Sequence, residues 1–245
     1  MKQWLIPLTV SVTLAMSSPA ILAATETTPA PYTSTQKQLV NMTPSQALQR
    51  LKNGNIRFVN NKPISRNLLQ QAKATNLNGQ FPSAVILSCM DSRGPAELIF
   101  DQGLGDIFSI RVAGNIIDTD QLGSMEFATK AVGTKLVVVM GHTNCGAIRG
   151  ACRGTELGNL TELLDKIKPA VQDIKEAAKG NVDCSDDHTI DKIAKQNVLI
   201  MIKQVQEKSP IISDLVTNKK VMIVGAMHDL HSGKVHFFDA NGHDI

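Results

Sequence analysis

The stretch LVVVMGHTNC, residues 136–145, decides how this chain folds. It opens with an unbroken apolar run, which is typical of a strand buried on both faces in a parallel sheet. The strand predicted over 135–140 is followed at once by His142 and Cys145, and a helix is predicted over 144–152. Ligand sites in open α/β sheets lie beyond the carboxyl ends of the strands, so both side chains stand where such a site forms.

A second apolar run, Ala84 to Ser88, predicts another buried strand that ends at Cys89. Strands are also predicted over 106–111 and 221–225, and residues 235–238 follow a Ser-Gly pair as an antiparallel edge strand. Further helical patterns cover 95–100, 121–131, 160–178 and 189–208. Strands that alternate with helices predict an α/β fold, with a central, mainly parallel β-sheet flanked by helices on both faces.

The chain before the first strand is predicted to form a helical arm, residues 43–80, of a single domain that spans 43–245. Thr43 and Pro44 are typical of a helix N-cap and a first helical position. Apolar residues follow at near-helical spacing, although Gly54 interrupts the pattern, and a short second helix is predicted over 68–76. Residues 25–42 begin with a stretch rich in Thr, Pro and Ala, and we expect them to be a linker.

The first 24 residues have the order of a secretory signal peptide: Lys2, a mostly apolar run, and then small residues. Cleavage is predicted after Ala23 or Ala24, which makes the protein periplasmic or secreted. The apolar run is short for a bilayer span, so we expect no stable membrane span after signal cleavage. An N-terminal tether that is not cleaved is the alternative.

The charge of the chain excludes one class of partner, and its cysteines suit an exported protein. A formal net charge of +3 without a clustered basic stripe gives no reason to expect nucleic acid binding. In an oxidising compartment, Cys152 and Cys184 could form a disulfide. The alternative for Cys152 is packing as an apolar residue on its helix.

Cys89, His142 and Cys145 have the chemistry of a zinc site. Thiolate and imidazole ligands suit this ion, and three protein ligands leave one tetrahedral position for water, as in catalytic zinc sites. A cysteine at the end of a buried strand often packs as a small hydrophobe, so either segment alone is a weak signal. Two such segments, each at the end of a parallel strand, predict one metal site if their strands are neighbours in the sheet.

Asp91 and Arg93 follow Cys89 closely and are predicted to act at the fourth metal position. A carboxylate there can accept a hydrogen bond from a bound water or ligate the metal itself. Arg93 would keep that carboxylate ionised through a charge-assisted pair. An Asp and an Arg in a strand-end loop more often form a surface pair or a cap, but the adjacent thiolate ligand favours the functional interpretation.

Taken together, the motifs resemble the β-class carbonic anhydrases. They are Cys89-x-Asp91-Ser92-Arg93, Gly105-Asp106-x-Phe108, Arg111-x-Ala113-Gly114-Asn115, Gly141-His142-x-x-Cys145-Gly146-Ala147 and Val224-Gly225-Ala226. The resemblance runs from about Thr43 to the C-terminus. It implies reversible hydration of carbon dioxide to bicarbonate and a proton, by attack of zinc-bound hydroxide. It also implies one zinc ion per subunit, bound by Cys89, His142 and Cys145, and a homodimer or homotetramer in which N-terminal helices wrap the partner.

The resemblance assigns further roles around the metal. Asp91 and Arg93 would form the catalytic dyad, and Asp91 would become the fourth zinc ligand only in a closed state. Gln102 lies near the place of a glutamine that orients substrate, although a gap-free register puts Gly103 there. Gly94 stands where family members often carry valine, a departure that would loosen the dyad loop.

Other functions stay open at this point. One is hydrolysis of a related linear molecule, such as carbon disulfide or carbonyl sulfide, on the same fold. Another is a periplasmic zinc-binding or sensing module without catalysis, against which the intact dyad counts. His228 and His231 could bind a metal as well, but a solvent-facing hairpin is the preferred interpretation for them and for His236.

Overall fold

The structure of this chain is a computed structural model, and it describes residues 33–245. The predicted signal peptide, residues 1–24, and residues 25–32 of the predicted linker lie outside the described residues. Over residues 33–245, no helix combines the length and the apolar composition needed to cross a membrane.

Five strands form one sheet in the order β2-β1-β3-β4-β5. They are β1 (Ala84–Ser88), β2 (Ile107–Arg111), β3 (Leu136–His142), β4 (Met222–His228) and β5 (Val235–Phe238). β1 pairs in parallel with β2 and β3, β3 pairs in parallel with β4, and β5 runs antiparallel to β4. The predicted α/β fold, with a mainly parallel sheet and an antiparallel edge strand, is confirmed.

The described helices cover both faces of this sheet. They are α1 (Gln36–Asn41), α2 (Pro44–Val59), α3 (Leu68–Asn78), α4 (Ala96–Ile99), α5 (Thr119–Glu126), α6 (Gly146–Arg153), α7 (Gly158–Asp165), α8 (Lys168–Ala177), α9 (Asp187–Lys208) and α10 (Pro210–Thr217). A short 3-10 turn spans Ala113–Asn115, and a π-helical segment, Phe127–Val132, continues α5.

Three of these helices, α7, α8 and α10, differ from the sequence-based expectation. The single helix predicted over 160–178 is divided into α7 and α8, with Pro169 in the first turn of α8. Proline lacks a backbone N–H and suits only the start of a helix, so the chain begins a new helix there. The helix α10 was not predicted, although Ser209 caps it and Pro210 begins it.

A short helix also occupies part of the predicted linker. The Thr35 hydroxyl accepts a hydrogen bond from the Gln38 backbone N–H, and the Gln38 side chain accepts one from the Thr35 N–H in return. This reciprocal capping box starts α1, whose Leu39 is buried. The linker predicted over 25–42 is therefore wrong for residues 36–41.

Alternate residues of the central strands feed two hydrophobic cores. Val85 and Val137 belong to the core that includes α9, whereas Ile86 and Val138 belong to the core that includes α2 and α4. Both sets are almost fully buried, as expected for strands covered by helices on both sides. The arm helix α2 is thus part of the domain core.

Gly54 permits α2 to approach the chain that follows α4. A Cβ atom at Gly54 would lie 1.7 Å from the Phe100 carbonyl oxygen, which is a backbone atom that cannot move aside cheaply. The helix continues through Gly54, so this glycine does not interrupt the helix and instead provides close packing.

Gly54→Ala is expected to lower the free energy of unfolding by about 1–3 kcal/mol or more, because the methyl group overpacks a rigid contact. Gly123 in α5 is the matched control, since a Cβ there meets nothing within 4 Å. Gly123→Ala should raise the free energy of unfolding by about 0.5–1 kcal/mol, the usual helix gain. Urea denaturation measures both changes, and equal effects of the two substitutions would contradict the packing argument.

Candidate metal centre

Three ligand side chains meet where β1 and β3 end. Cys89 follows β1, His142 is the last residue of β3, and Cys145 immediately precedes α6. Their ligand atoms all lie within 4.8 Å of one another, and all three residues are buried. The structure therefore brings together the trio that the sequence predicted for zinc.

The turn between His142 and Cys145 has a conformation that its sequence favours. Asn144 has a φ of 53°, a left-handed conformation that asparagine adopts more readily than most residues. The Thr143 N–H donates to the carbonyl oxygen of His228 at 3.0 Å, which fixes the turn to the end of β4. Cys145 is then the N-cap residue of α6, close to the backbone N–H groups of that helix.

The imidazole of His142 presents one nitrogen to the cluster. Its Nδ1 lies 2.9 Å from the Thr143 carbonyl oxygen, which can only accept, so Nδ1 carries the proton. Its Nε2 is buried and has no hydrogen-bond partner within the described chain. A buried acceptor nitrogen, oriented by a carbonyl on the other ring nitrogen, is the usual arrangement of a metal-binding histidine.

Proton sharing between the two thiols shapes the electrostatics of the cluster. The hydrogen bond with Cys145 is the largest cause that lowers the pKa of Cys89, to about 4, despite its burial. The same hydrogen bond, together with burial, raises the pKa of Cys145. Burial disfavours a charged imidazole, but the Cys89 thiolate outweighs it and raises the pKa of His142. Two sulfurs that bind as thiolates and one neutral imidazole nitrogen are ligands that a divalent zinc ion prefers.

Asp91 and Arg93 form a bidentate pair beside the cluster. Asp91 Oδ1 accepts from Arg93 Nε at 2.9 Å, and Oδ2 accepts from Nη2 at 2.7 Å. This hydrogen bonding holds the pKa of Asp91 well below its usual range. Asp91 Oδ2 lies 3.9 Å from His142 Nε2, so an ionised carboxylate borders the metal ligands.

Two residues to which the sequence assigned no role of their own, Arg111 and Asn197, support Cys89 and the dyad loop. Arg111 donates to the carbonyl oxygens of Cys89 and Asp91, at 3.2 and 2.5 Å. Asn197 donates to the Gly114 carbonyl at 2.9 Å, and the Gly114 N–H points at Cys89 Sγ at 3.4 Å. Arg111 and Gly114 belong to a quoted motif, but no local pattern in α9 marks Asn197.

His228 is buried, contrary to the prediction that it lies in a solvent-facing hairpin. The strand β4 extends to His228 instead of ending at residue 225, and it pairs His228 with His142. His228 is 3% exposed, and burial lowers its pKa to about 4, so the solvent-facing interpretation is wrong for this residue. His231 and His236 are exposed, as expected, and His228 and His231 do not belong to the metal-binding group found in residues 33–245.

The hydrogen bonds of Gln102 lie away from the metal trio and the Asp91–Arg93 dyad. Its buried side chain donates to the carbonyl oxygens of Phe100 at 2.6 Å and Asp101 at 3.2 Å. It lines a cavity of 450 Å³ with residues of the N-terminal arm. In residues 33–245, no hydrogen bond joins Gln102 to the trio or to the dyad, and its role with substrate stays a prediction.

Cys152 and Cys184 form a disulfide with a Cα–Cα distance of 5.7 Å. The sequence left this pairing open, because the two residues are 32 positions apart and their spatial distance could not be derived. Cys89 and Cys145 are the free cysteines.

Comparisons with known proteins agree with the geometry of the site. The family model described as "Carbonic anhydrase" matches residues 84–235. Carbonic anhydrase 2 of Mycobacterium tuberculosis is 34% identical over 199 residues, which covers 79% of this chain and 92% of the relative. The carbonic anhydrase of Mycolicibacterium smegmatis is 32% identical over 200 residues, 80% of this chain and 93% of the relative.

Solved structures show the same similarity. The β-carbonic anhydrase CafA of Aspergillus fumigatus aligns with a TM-score of 0.64 and 25% identity, over 80% of this chain and 90% of that one. A tetrameric β-carbonic anhydrase of Sordaria macrospora aligns with a TM-score of 0.61 and 25% identity, over 70% and 92%.

The chain therefore belongs to the carbonic anhydrase family. The shared fold and the Cys-His-Cys cluster assign it to the β class. It is accordingly a zinc enzyme, and its reaction is the reversible hydration of carbon dioxide to bicarbonate and a proton.

Zinc binding to the metal-free protein is expected to release protons. Cys145, whose pKa is raised, holds its proton at neutral pH and must lose it to become a ligand. The affinity for zinc should therefore fall as the pH falls. Zinc titration in weakly buffered solution with a pH indicator measures the release. Cys145→Ser is the control with reduced release, and zinc uptake by the wild-type protein without any acidification would contradict the assignment.

Proposed function

We propose that Cys89, His142 and Cys145 hold the zinc ion of this enzyme, and that Asp91 and Arg93 control the remaining coordination position. The observation that carries the proposal is the buried trio beside a carboxylate whose two oxygens are held by one guanidinium. Zinc, when bound, supplies the Lewis acidity that activates water as a nucleophile near neutral pH.

The role of Asp91 follows from its charge state. An ionised carboxylate can only accept hydrogen bonds, so it favours a molecule with a hydrogen to donate, such as water or the hydroxyl of bicarbonate. It repels anions that lack one. Asp91 thus selects what enters and orients the nucleophile, while carbon dioxide, which is uncharged, is not repelled.

The pairing with Arg93 also bears on the open and closed states. Both Asp91 oxygens are engaged by Arg93, and Asp91 is not in the metal-ligand group of the described chain. Direct ligation by Asp91 would require one of these charge-assisted bonds to break. This arrangement supports the open form, in which water has access to the fourth position.

Arg93→Ala is expected to lower kcat/KM for carbon dioxide hydration by about 10–100-fold, as is typical when an outer partner of a metal site is removed. Without the guanidinium, the pKa of Asp91 rises toward its ordinary value. The acid limb of the pH profile should therefore move to higher pH. Stopped-flow hydration across the pH range measures both effects.

Ser92→Ala, an exposed neighbour in the same loop, is the control and should keep wild-type kinetics. Asp91→Ala tests the same role directly. Unchanged hydration in Asp91→Ala and Arg93→Ala would show that the dyad has no part in the reaction. A wild-type rate no better than buffer would reject the function itself.

We also propose that the enzyme is exported to an oxidising compartment such as the periplasm. Two features support this: the order of residues 1–24 and the disulfide between Cys152 and Cys184, a bond that persists in such compartments. Expression of the full chain in a bacterium should yield a periplasmic protein that begins at Ala24 or Thr25. An intact N-terminus in the cytoplasm would contradict export.

A homodimer or homotetramer, assembled through the N-terminal arm, completes the proposal. The relative from Sordaria macrospora is tetrameric. In this chain, Leu69 and Leu77 of α3 are 66% and 81% exposed, and Leu68 and Leu98 line the 450 Å³ cavity. Exposed apolar patches of this kind mark interfaces. Light scattering should give a multiple of the single-chain mass, and a monomer would contradict the assembly.

A further inference from the structure

The turn that presents His142 and Cys145 is held from outside by contacts at Asn144. The Asn144 backbone N–H donates to Asp191 Oδ1 at 2.7 Å. Its side-chain Oδ1 accepts from Arg149 Nη2 at 3.0 Å. Asn144 has a left-handed φ, and these contacts stabilise that conformation. The turn through Asn144 then places the side chains of His142 and Cys145 next to each other.

Arg149 connects this turn to a loop that is distant in sequence. Its Nη1 donates to the carbonyl oxygens of Cys184 and Ser185, at 3.0 Å each, and its Nη2 pairs with the Asp187 carboxylate. The Arg149 side chain is only 17% exposed. A guanidinium presents its donors in fixed, planar directions, so one side chain sets the position of the turn relative to the loop.

The disulfide attaches that loop to the same helix. Cys152 lies on α6, one helical turn beyond Arg149, and is bonded to Cys184. No residue between Ala170 and Ile190 is fully buried, and Val171, Ile174 and Val182 pack against the core while only partly buried, so the core holds this segment weakly. The covalent bond therefore keeps the carbonyl groups within reach of Arg149.

We propose that the disulfide, the loop carbonyls and Arg149 form a clamp that holds the metal-binding turn and slows the loss of zinc. The clamp rests on the proposed function of the trio as zinc ligands. Arg149 is a positioning residue in it, since it touches Asn144 and no ligand atom. Without the disulfide the loop leaves Arg149, the guanidinium loses two acceptors, and the turn gains freedom.

The test follows zinc release to a chromogenic chelator from the purified, zinc-loaded protein. Arg149→Met is expected to release zinc up to about 10 times faster, the lower end of the effect of removing a direct hydrogen-bond partner of a ligand, because Arg149 acts through Asn144. Arg153→Met, an exposed arginine on the same helix, is the matched control and should keep the wild-type rate. Cys152→Ser combined with Cys184→Ser should accelerate release as well. Adding Arg149→Met to this pair should accelerate release by a smaller factor than in the wild-type protein, because two of the acceptors of Arg149 are already lost.

Spectra of the cobalt(II)-substituted protein separate positioning from general loss of stability. The charge-transfer bands between sulfur and cobalt report the geometry at Cys89 and Cys145, and Arg149→Met should shift or broaden them. The thermal unfolding midpoint is measured on the same samples. A wild-type release rate in Arg149→Met, or faster release that only follows a lower midpoint with unchanged cobalt bands, would overturn the clamp.

Arg149→Lys is the second variant, to be measured if Arg149→Met fails to fold. A lysine ammonium is a compact charge that cannot span all the acceptors of a guanidinium, so faster release is still expected. A wild-type rate in this variant would also overturn the clamp. Wild-type protein that binds no zinc would contradict the proposed function instead, which distinguishes the two failures.

Discussion

β1 and β3 lie side by side in parallel, with Ser88 beside Met140, so the residues that follow them leave the sheet at one edge. The metal cluster depends on this pairing, because Cys89 comes from one strand end and His142 and Cys145 from the other. A shift of one residue would turn the strand side chains to the opposite face. The two hydrophobic cores on either side of the sheet therefore fix the register and, with it, the spacing of the ligands.

The cluster is stable in a buried place because its charges are balanced locally. A thiolate in an apolar environment is costly by itself, yet Cys89 receives hydrogen bonds from its neighbours, including the Gly114 N–H. Asp91 stays ionised because Arg93 pairs with it at the solvent side of the site. The Cys89 thiolate and the Asp91 carboxylate thereby place negative charge next to the zinc-binding position, and the Arg93 guanidinium that balances Asp91 lies outside the group of ligands.

Peripheral elements are tied to this centre by polar contacts over long sequence distances. Asp101 is buried and accepts hydrogen bonds from Arg57 and Arg66 of the N-terminal segment, which overcome the cost of burial and lower its pKa. Arg50 pairs with Asp106 at 2.7 Å. These ion pairs attach the arm beside β2, whereas the loop that carries Cys184 is attached on the side of α6.

The buried strands, their alternation with helices and the ligand chemistry could be predicted from the sequence, because they follow from hydrophobic periodicity and from residue types at strand ends. The buried strand over Ala84 to Ser88 and the ligand types of Cys89, His142 and Cys145 were predicted in this way, whereas the pairing of β1 with β3 that brings the three together came from the structure. The helix bounds differ from the prediction at Thr35 and Pro169, where a capping box and a proline set the start of a helix.

Which side chains from distant segments meet became known from the folded domain. The burial of His228, the bond between Cys152 and Cys184, and the contacts of Arg149 and Asn197 all join segments that no local pattern relates. Such contacts depend on distances and directions in the packed domain, and the spacing of residues along the sequence gives neither of these. The ligands of the metal centre could therefore be predicted from local motifs. The groups that hold these ligands in place could not, because their contacts arise from packing between distant segments.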